Sequence, residues 1–328
     1  MTTLTSDVLL PLHLNPAAAQ ELATGLTDLP SPYEGDFETF LIRLLQPFAR
    51  LPESILRAVL AFRCSPTAPG ALLITGLQPD RDLPTTPRLS AHPGEKRTYL
   101  AESYLLGFGH HVGEPFSYKK EKNGALIHGV IATRRGVGAY SNEGSIEDFD
   151  FHSEVAFDTF APNYVALYCI RADHERKAVT VVADVRRACE LLSKEHVEAL
   201  RQPDFQIRSP ESFTEGLGSV YWTEPLPVLT GPPEAVECRV NFNHTKALTS
   251  HGQEALEALR AALSSPAALA EIVLLPGSLL IINNRVCVHG RRPFTPRFDG
   301  IDRWLIRTYL RADLWPGRSR LTAPSRVF

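Results

Sequence analysis

No apolar run in this chain approaches the ~20 residues that a bilayer-spanning helix needs, and the N-terminus lacks the basic start and long apolar stretch of a signal peptide. The expectation is a cytoplasmic protein. Strong charge of either sign is also missing: a formal net charge of -3 over 328 residues leaves no general basic field, which excludes nucleic acid as a partner. The five cysteines, Cys64, Cys169, Cys189, Cys238 and Cys287, are odd in number, scattered and without a CxxC pair. They read as reduced thiols rather than a disulfide framework. A nucleotide loop is lacking too, because Gly136-Val137-Gly138 has no Gly-Lys-Ser/Thr after it and no βαβ unit around it. No internal repeat and no Pro/Gly linker divides the chain, so one domain over residues 1–328 is expected.

What is present can bury a large core, with 44% hydrophobic and 22% charged residues. Apolar residues recur at helical spacing through 17–26, 33–48 and 52–62. The helices over about 33–62 would brace a sheet from outside. A further helix is expected over 98–106, with Gly107, Gly109 and Gly113 marking its exit. Short apolar or alternating runs at 70–76, 126–130, 164–170, 178–182, 237–242 and 303–312 read as strands. Asp184 and Ser193 fit N-caps of two successive helices, and a last helix covers 251–263. Residues 271–275 and 279–283, joined by Pro276-Gly277, look like a hairpin. Residues 205–235, rich in Ser, Gly, Pro and Thr, form a candidate lid. Many short strands with helices outside them point to a mainly β fold of sandwich or jelly-roll type.

One stretch carries chemistry. In Asp150-Phe151-His152-Ser153-Glu154 a histidine and a carboxylate two apart would share one face of an extended strand. With His289, they make a two-histidine, one-carboxylate set that leaves half an octahedron open, as in non-heme Fe(II) oxygenases.

Several blocks resemble the clavaminate synthase-like family: Ala161-Pro162-Asn163-Tyr164-Val165, Arg171-Ala172-Asp173-His174-Glu175-Arg176, Val185-Arg186-Arg187, and Pro293 through Gly300 followed by Asp302-Arg303-Trp304-Leu305 and Arg307. Glu121-Lys122-Asn123-Gly124-Ala125-Leu126 is similar to the bacterial asparagine oxygenases of that family. The resemblance implies a double-stranded β-helix, or jelly roll, with helical supports. It also implies Fe(II) as cofactor, 2-oxoglutarate and O2 as co-substrates, and His152, Glu154 and His289 as metal ligands.

On the same resemblance, Arg303 and Thr180 would hold the distal carboxylate of 2-oxoglutarate, since a planar guanidinium meets both oxygens at once. Arg307 would take the α-carboxylate of an amino-acid substrate, Glu121 its α-ammonium, and Asn142 would line the same pocket. Because Glu154 fills the position that halogenating relatives leave open, hydroxylation is implied. Asparagine and arginine oxidisers of the family put an aspartate near Arg-Val, whereas this chain has Arg239-Val240-Asn241. Asn241 can donate as well as accept, so the expected substrate has an acidic or amide side chain oxidised at Cβ. Other readings are an oxygenase acting on an aminoacyl group held by a carrier protein, a taurine-dioxygenase-like enzyme, and a jelly-roll metal binder without oxygenase chemistry. His110, His111, His128 and His244 match no ligand position and read as loop or supporting residues.

Overall fold

The computed structural model describes residues 7–89, 96–138, 143–210, 213, 220–320 and 326–328. The first four helices are α1 (Pro16–Leu26), α2 (Phe37–Phe48), α3 (Glu53–Cys64) and α4 (Leu100–Val112). Asn15 and Asp36 cap α1 and α2 by accepting from first-turn amides, and Pro16 opens α1 where its missing N–H costs nothing. α4 does not stop at Gly107 as expected but runs through Gly107 and Gly109 to Gly113. The reason is packing, since a Cβ at Gly107 would lie 2.1 Å from the Phe48 ring of α2.

The first seven strands are β1 (Leu9–His13), β2 (Ala71–Thr75), β3 (Glu114–Phe116), β4 (His128–Ile131), β5 (Phe149–His152), β6 (Tyr164–Arg171) and β7 (Val179–Asp184). Two helices, α5 (Val185–Cys189) and α6 (Lys194–Leu200), follow with Asp184 and Ser193 as their side-chain caps. Then come β8 (Phe205–Ile207), β9 (Leu229–Thr230), β10 (Glu237–Cys238), β11 (Thr245–Ala247), α7 (Ser250–Leu263), β12 (Leu269–Val273), β13 (Leu279–Asn283), β14 (Cys287–Arg291) and β15 (Trp304–Arg311).

Among the described residues, β1, β2, β13, β6, β15 and β3 form one sheet, with β4 also paired to β15. A second sheet has the order β12-β7-β14-β5, and the small ribbons β8/β11 and β9/β10 stand apart. Alternation explains why β6, β13 and β15 read as almost continuously apolar. Tyr164, Ala166, Tyr168, Leu279, Ile281, Trp304 and Ile306 face the N-terminal helices. Leu167, Cys169, Leu280, Ile282 and Leu305 face Val182, Ala270, Ile272 and Cys287 of the second sheet. That sheet's other face, with Val181, Ala183 and Val288, is covered by residues of α5, α6 and α7. The result is a jelly-roll core with helices on both outer faces.

Two expectations are corrected. Residues 271–275 and 279–283 do not form a hairpin: β12 pairs with β7 in one sheet, whereas β13 pairs with β2 and β6 in the other. Pro276-Gly277 carries the chain across the sandwich into the larger sheet, where one face of β13 packs against the N-terminal helices and the other against the smaller sheet. The expected strand 237–242 is regular only at β10, after which Asn241 makes an isolated bridge to His152. Of the candidate lid, β8 pairs with β11 and Phe213 packs on Tyr118 and Phe157; residues 211–212 and 214–219 lie outside the described residues. No helix among the described residues is long and apolar enough to cross a membrane.

Candidate active site

β14 lies antiparallel to β5 with His289 directly opposite His152. Both imidazoles therefore leave the same face of the smaller sheet, their ring centroids 4.4 Å apart. One ligand atom from each of His152, Glu154 and His289 lies within 4.8 Å of the others, and all three residues are buried. Glu154 is not on the strand, however. β5 ends at His152, and Glu154 sits in the following turn, where Val155 has a φ of 53°. Asn284 fixes that turn: its Oδ1 accepts from Glu154 N at 2.8 Å, and its Nδ2 donates to the carbonyls of Glu154 at 3.2 Å and Pro162 at 2.9 Å.

The protonation states suit a cation. His152 Nδ1 lies 2.9 Å from the Asp150 carbonyl, which can only accept, so the ring proton is on Nδ1 and Nε2 keeps its lone pair. Burial, then His289, pushes the His152 pKa down to about 4. His289 Nε2 is 3.6 Å from Glu154 Oε1. Burial works against the charge of Glu154, but Arg307 and the two histidines outweigh it and hold the carboxyl below its ordinary range. Two imidazole nitrogens and one carboxylate fit ferrous iron with three positions left open.

Leu305, Arg307 and Tyr309 share one face of β15. Arg303, just before the strand, lines a cavity of about 40 Å³ with Leu305 and Arg307 and with Glu154, Thr180, His289 and Arg291. It is buried, its guanidinium 3.5 Å from Thr180 Oγ1, and no carboxylate among the described residues pairs with it. Asp299 and Asp302, its alternative partners on a surface, bind His174 and the Arg297 amide instead. Arg291 was not singled out by the sequence, although it lies two residues after His289 and so on the same strand face. Its Nη1 donates to the Ser145 carbonyl at 2.8 Å, it too has no carboxylate partner among the described residues, and burial together with Arg303 lowers its pKa to about 10. Two buried guanidiniums without counter-charge favour a bound dianion.

A second cavity, of about 130 Å³, opens beside the same cluster, with Glu121, His152, Glu154, Arg208, Asn241 and Tyr309 in its walls. Arg307 bridges Glu154 Oε1 at 2.6 Å and Glu121 Oε1 at 2.7 Å, and Tyr309 Oη is 3.1 Å from both carboxylates. His128 is a supporting residue: its Nε2 meets the Ala125 carbonyl at 2.7 Å, leaving Nδ1 to accept from Arg307 at 3.0 Å. Burial and Arg307 push its pKa down to about 3. Within this Arg307–Glu121 pair, Arg307 Nε and Glu121 Oε2 stay buried without a hydrogen bond among the described residues. Burial raises the Glu121 pKa. Asn142 lies outside the described residues. Tyr309 and Asn284 went unnoticed in the sequence, and nothing in their local spacing distinguishes them from core polars.

A profile described as "Taurine catabolism dioxygenase TauD, TfdA family" matches residues 101–309. The chain is 37% identical to an L-asparagine oxygenase of Streptomyces coelicolor, over 84% of this chain and 80% of that one. It is 31% identical to clavaminate synthase 2 of Streptomyces clavuligerus, over 89% and 90%. A crystal structure of asparagine oxygenase in complex with Fe(II), 2S,3S-3-hydroxyasparagine and succinate superposes with a TM-score of 0.87 and 33% identity, covering 97% of this chain and 98% of that one. With this match over most of its length, and a donor set that suits iron beside arginines that suit a keto acid, the chain belongs to the TauD/TfdA family of Fe(II)- and 2-oxoglutarate-dependent oxygenases.

Proposed function

We propose that this enzyme hydroxylates Cβ of a free L-amino acid with an acidic or amide side chain, consuming 2-oxoglutarate and O2 and releasing succinate and CO2. His152, Glu154 and His289 would hold ferrous iron, which supplies the oxidising chemistry when bound. Arg303 and Thr180 take the distal carboxylate of the keto acid, and Arg291 adds a second positive charge to the same cavity. The observation that carries the reading is the buried ligand cluster standing beside two arginines with no carboxylate partner among the described residues.

Arg307 and Glu121 read the zwitterionic end of the substrate. Arg307 Nε has a proton to donate and Glu121 Oε2 lone pairs to accept with, and neither has a partner among the described residues. An α-carboxylate and an α-ammonium satisfy both, which removes two costly unpaired buried atoms. An aminoacyl group on a carrier protein has no free carboxylate for Arg307, so the free amino acid is favoured. Tyr309 and His128 keep Arg307 in place while the substrate is absent. Asn241 lines the same pocket, and hydroxylation at Cβ accords with the 3-hydroxyasparagine held by the asparagine oxygenase relative. The protein's contribution is positioning and exclusion of water.

Incubation with Fe(II), ascorbate, 2-oxoglutarate and a panel of free L-amino acids tests this. Stoichiometric succinate and a one-oxygen mass increase are expected with aspartate, glutamate, asparagine or glutamine. Turnover of arginine alone would overturn the reading of Asn241, and absence of any keto-acid decarboxylation would overturn the enzymatic one.

A further inference from the structure

The substrate cavity has a wall that the zwitterion-reading groups do not occupy. It comes from the β8/β11 ribbon, where Arg208 follows β8 while Asn241 and His244 precede β11. Arg208 N donates to the His244 carbonyl at 2.8 Å, which keeps the two residues side by side. The Asn241 side chain is oriented by its neighbour: Oδ1 accepts from Asn243 N at 3.0 Å, so the amide presents its NH2 as a donor. Arg208 is half-buried, and no carboxylate among the described residues pairs with its guanidinium. The acids that do line the cavity, Glu121 and Glu154, are already bound by Arg307 and Tyr309. Burial and Arg208 lower the His244 pKa, so this imidazole brings no extra positive charge at neutral pH.

Such a wall discriminates among side chains. A lysine or arginine side chain would face Arg208 as a like charge. A carboxamide can accept from one of these donors through its oxygen but turns its NH2 toward the other, and it leaves the Arg208 charge unneutralised. A carboxylate accepts from Arg208 through both oxygens and from the Asn241 amide, with charge assistance. We infer that Arg208 is the counter-ion for a side-chain carboxylate, so that the enzyme selects acidic L-amino acids, aspartate or glutamate, over their amides. The inference rests on the amino-acid reading above and narrows it to one of the two side-chain chemistries left open there.

The test uses the full-length enzyme with Fe(II), 2-oxoglutarate and ascorbate, and compares kcat/KM for the pairs aspartate/asparagine and glutamate/glutamine. In at least one pair the acid should exceed the amide by about a hundredfold or more, because an unpaired buried donor is costly in the rejected complex. Arg208→Gln should raise KM for the acid by about a hundredfold, with a smaller effect on kcat, and collapse the acid-to-amide ratio. Arg208→Lys should retain part of the preference. Amides turned over as well as acids, or a ratio unmoved by Arg208→Gln, would overturn the assignment. Should Arg208→Gln fail to fold, the wild-type ratio and Arg208→Lys decide. Cβ hydroxylation of neutral or amide substrates with the acids idle sinks this inference and leaves the amino-acid reading standing. Keto-acid consumption with no amino acid oxidised sinks both.

Discussion

A carboxylate proposed to bind metal from a turn has to be fixed by something other than a strand, and here Asn284 does it with three hydrogen bonds to the backbone of Glu154 and Pro162. Asn284→Ala leaves those buried groups unpaired, so it should cost about 2–4 kcal/mol of stability in denaturant melts. Loss of a group that orients a metal ligand should also weaken Fe(II) binding about 10–100-fold, read by direct metal titration. Arg303→Met keeps the volume but removes the charge, and should raise KM for 2-oxoglutarate by about two orders of magnitude. Succinate release checks it, and KM for the amino acid should change far less. At this scale the sequence was unevenly legible. His152, Glu154, His289 and Arg303 stood out because the blocks around them resemble the clavaminate synthase-like pattern; a histidine and a glutamate two apart are by themselves common by chance. Asn284, Arg291 and Tyr309 act only through neighbours that the fold supplies from more than a hundred residues away in most cases, and a buried asparagine or tyrosine carries no mark of that in its flanking residues.

Elements show the same dependence on partners. Helix periodicity, side-chain caps and the apolar runs at β2, β6 and β7 placed most elements because those signals are local. The hairpin reading of β12 and β13 failed because a tight Pro-Gly turn fixes where a strand ends and not which sheet the next one joins. The reading of Gly107 as a helix exit failed for a related reason, since close contact with Phe48 outweighs the low helix propensity of glycine. Gly107→Ala should therefore destabilise by about 1–3 kcal/mol despite alanine being the better helix former. A urea melt measures it, and adding Phe48→Leu should recover part of the loss. Phe213 lines the cavity proposed for substrate, beside His152 and Glu154, with its ring 4.9 Å from Phe157 and 5.4 Å from Tyr118. Phe213→Ala should admit water and raise succinate formed per hydroxylated product, with the fold intact by circular dichroism. An unchanged ratio would mean that this part of the candidate lid does not govern coupling.

Across the whole molecule the site joins the two sheets. His152 and His289 belong to the smaller sheet, Glu154 to the turn after β5, Arg307 and Tyr309 to β15 of the larger sheet, and Arg303 immediately precedes that strand. A metal ion alone would tie together groups that the smaller sheet and its turn already hold. A keto acid bound to that metal and to Arg303 would span the sandwich, and since only the folded chain offers both anchors, its binding must stabilise the fold by mass action. At a hundred times its Kd, a non-decarboxylating keto-acid analogue added anaerobically with Fe(II) should contribute about 2.7 kcal/mol. For a chain of this size that amounts to a rise of about 5 °C in Tm. The comparison that isolates the bridge is Arg303→Met: it should keep the shift caused by metal alone and lose the further shift caused by the analogue. If Arg303→Met retained both increments, the analogue would be held by the metal side only, and Arg303 would have no part in coupling the two sheets through the ligand.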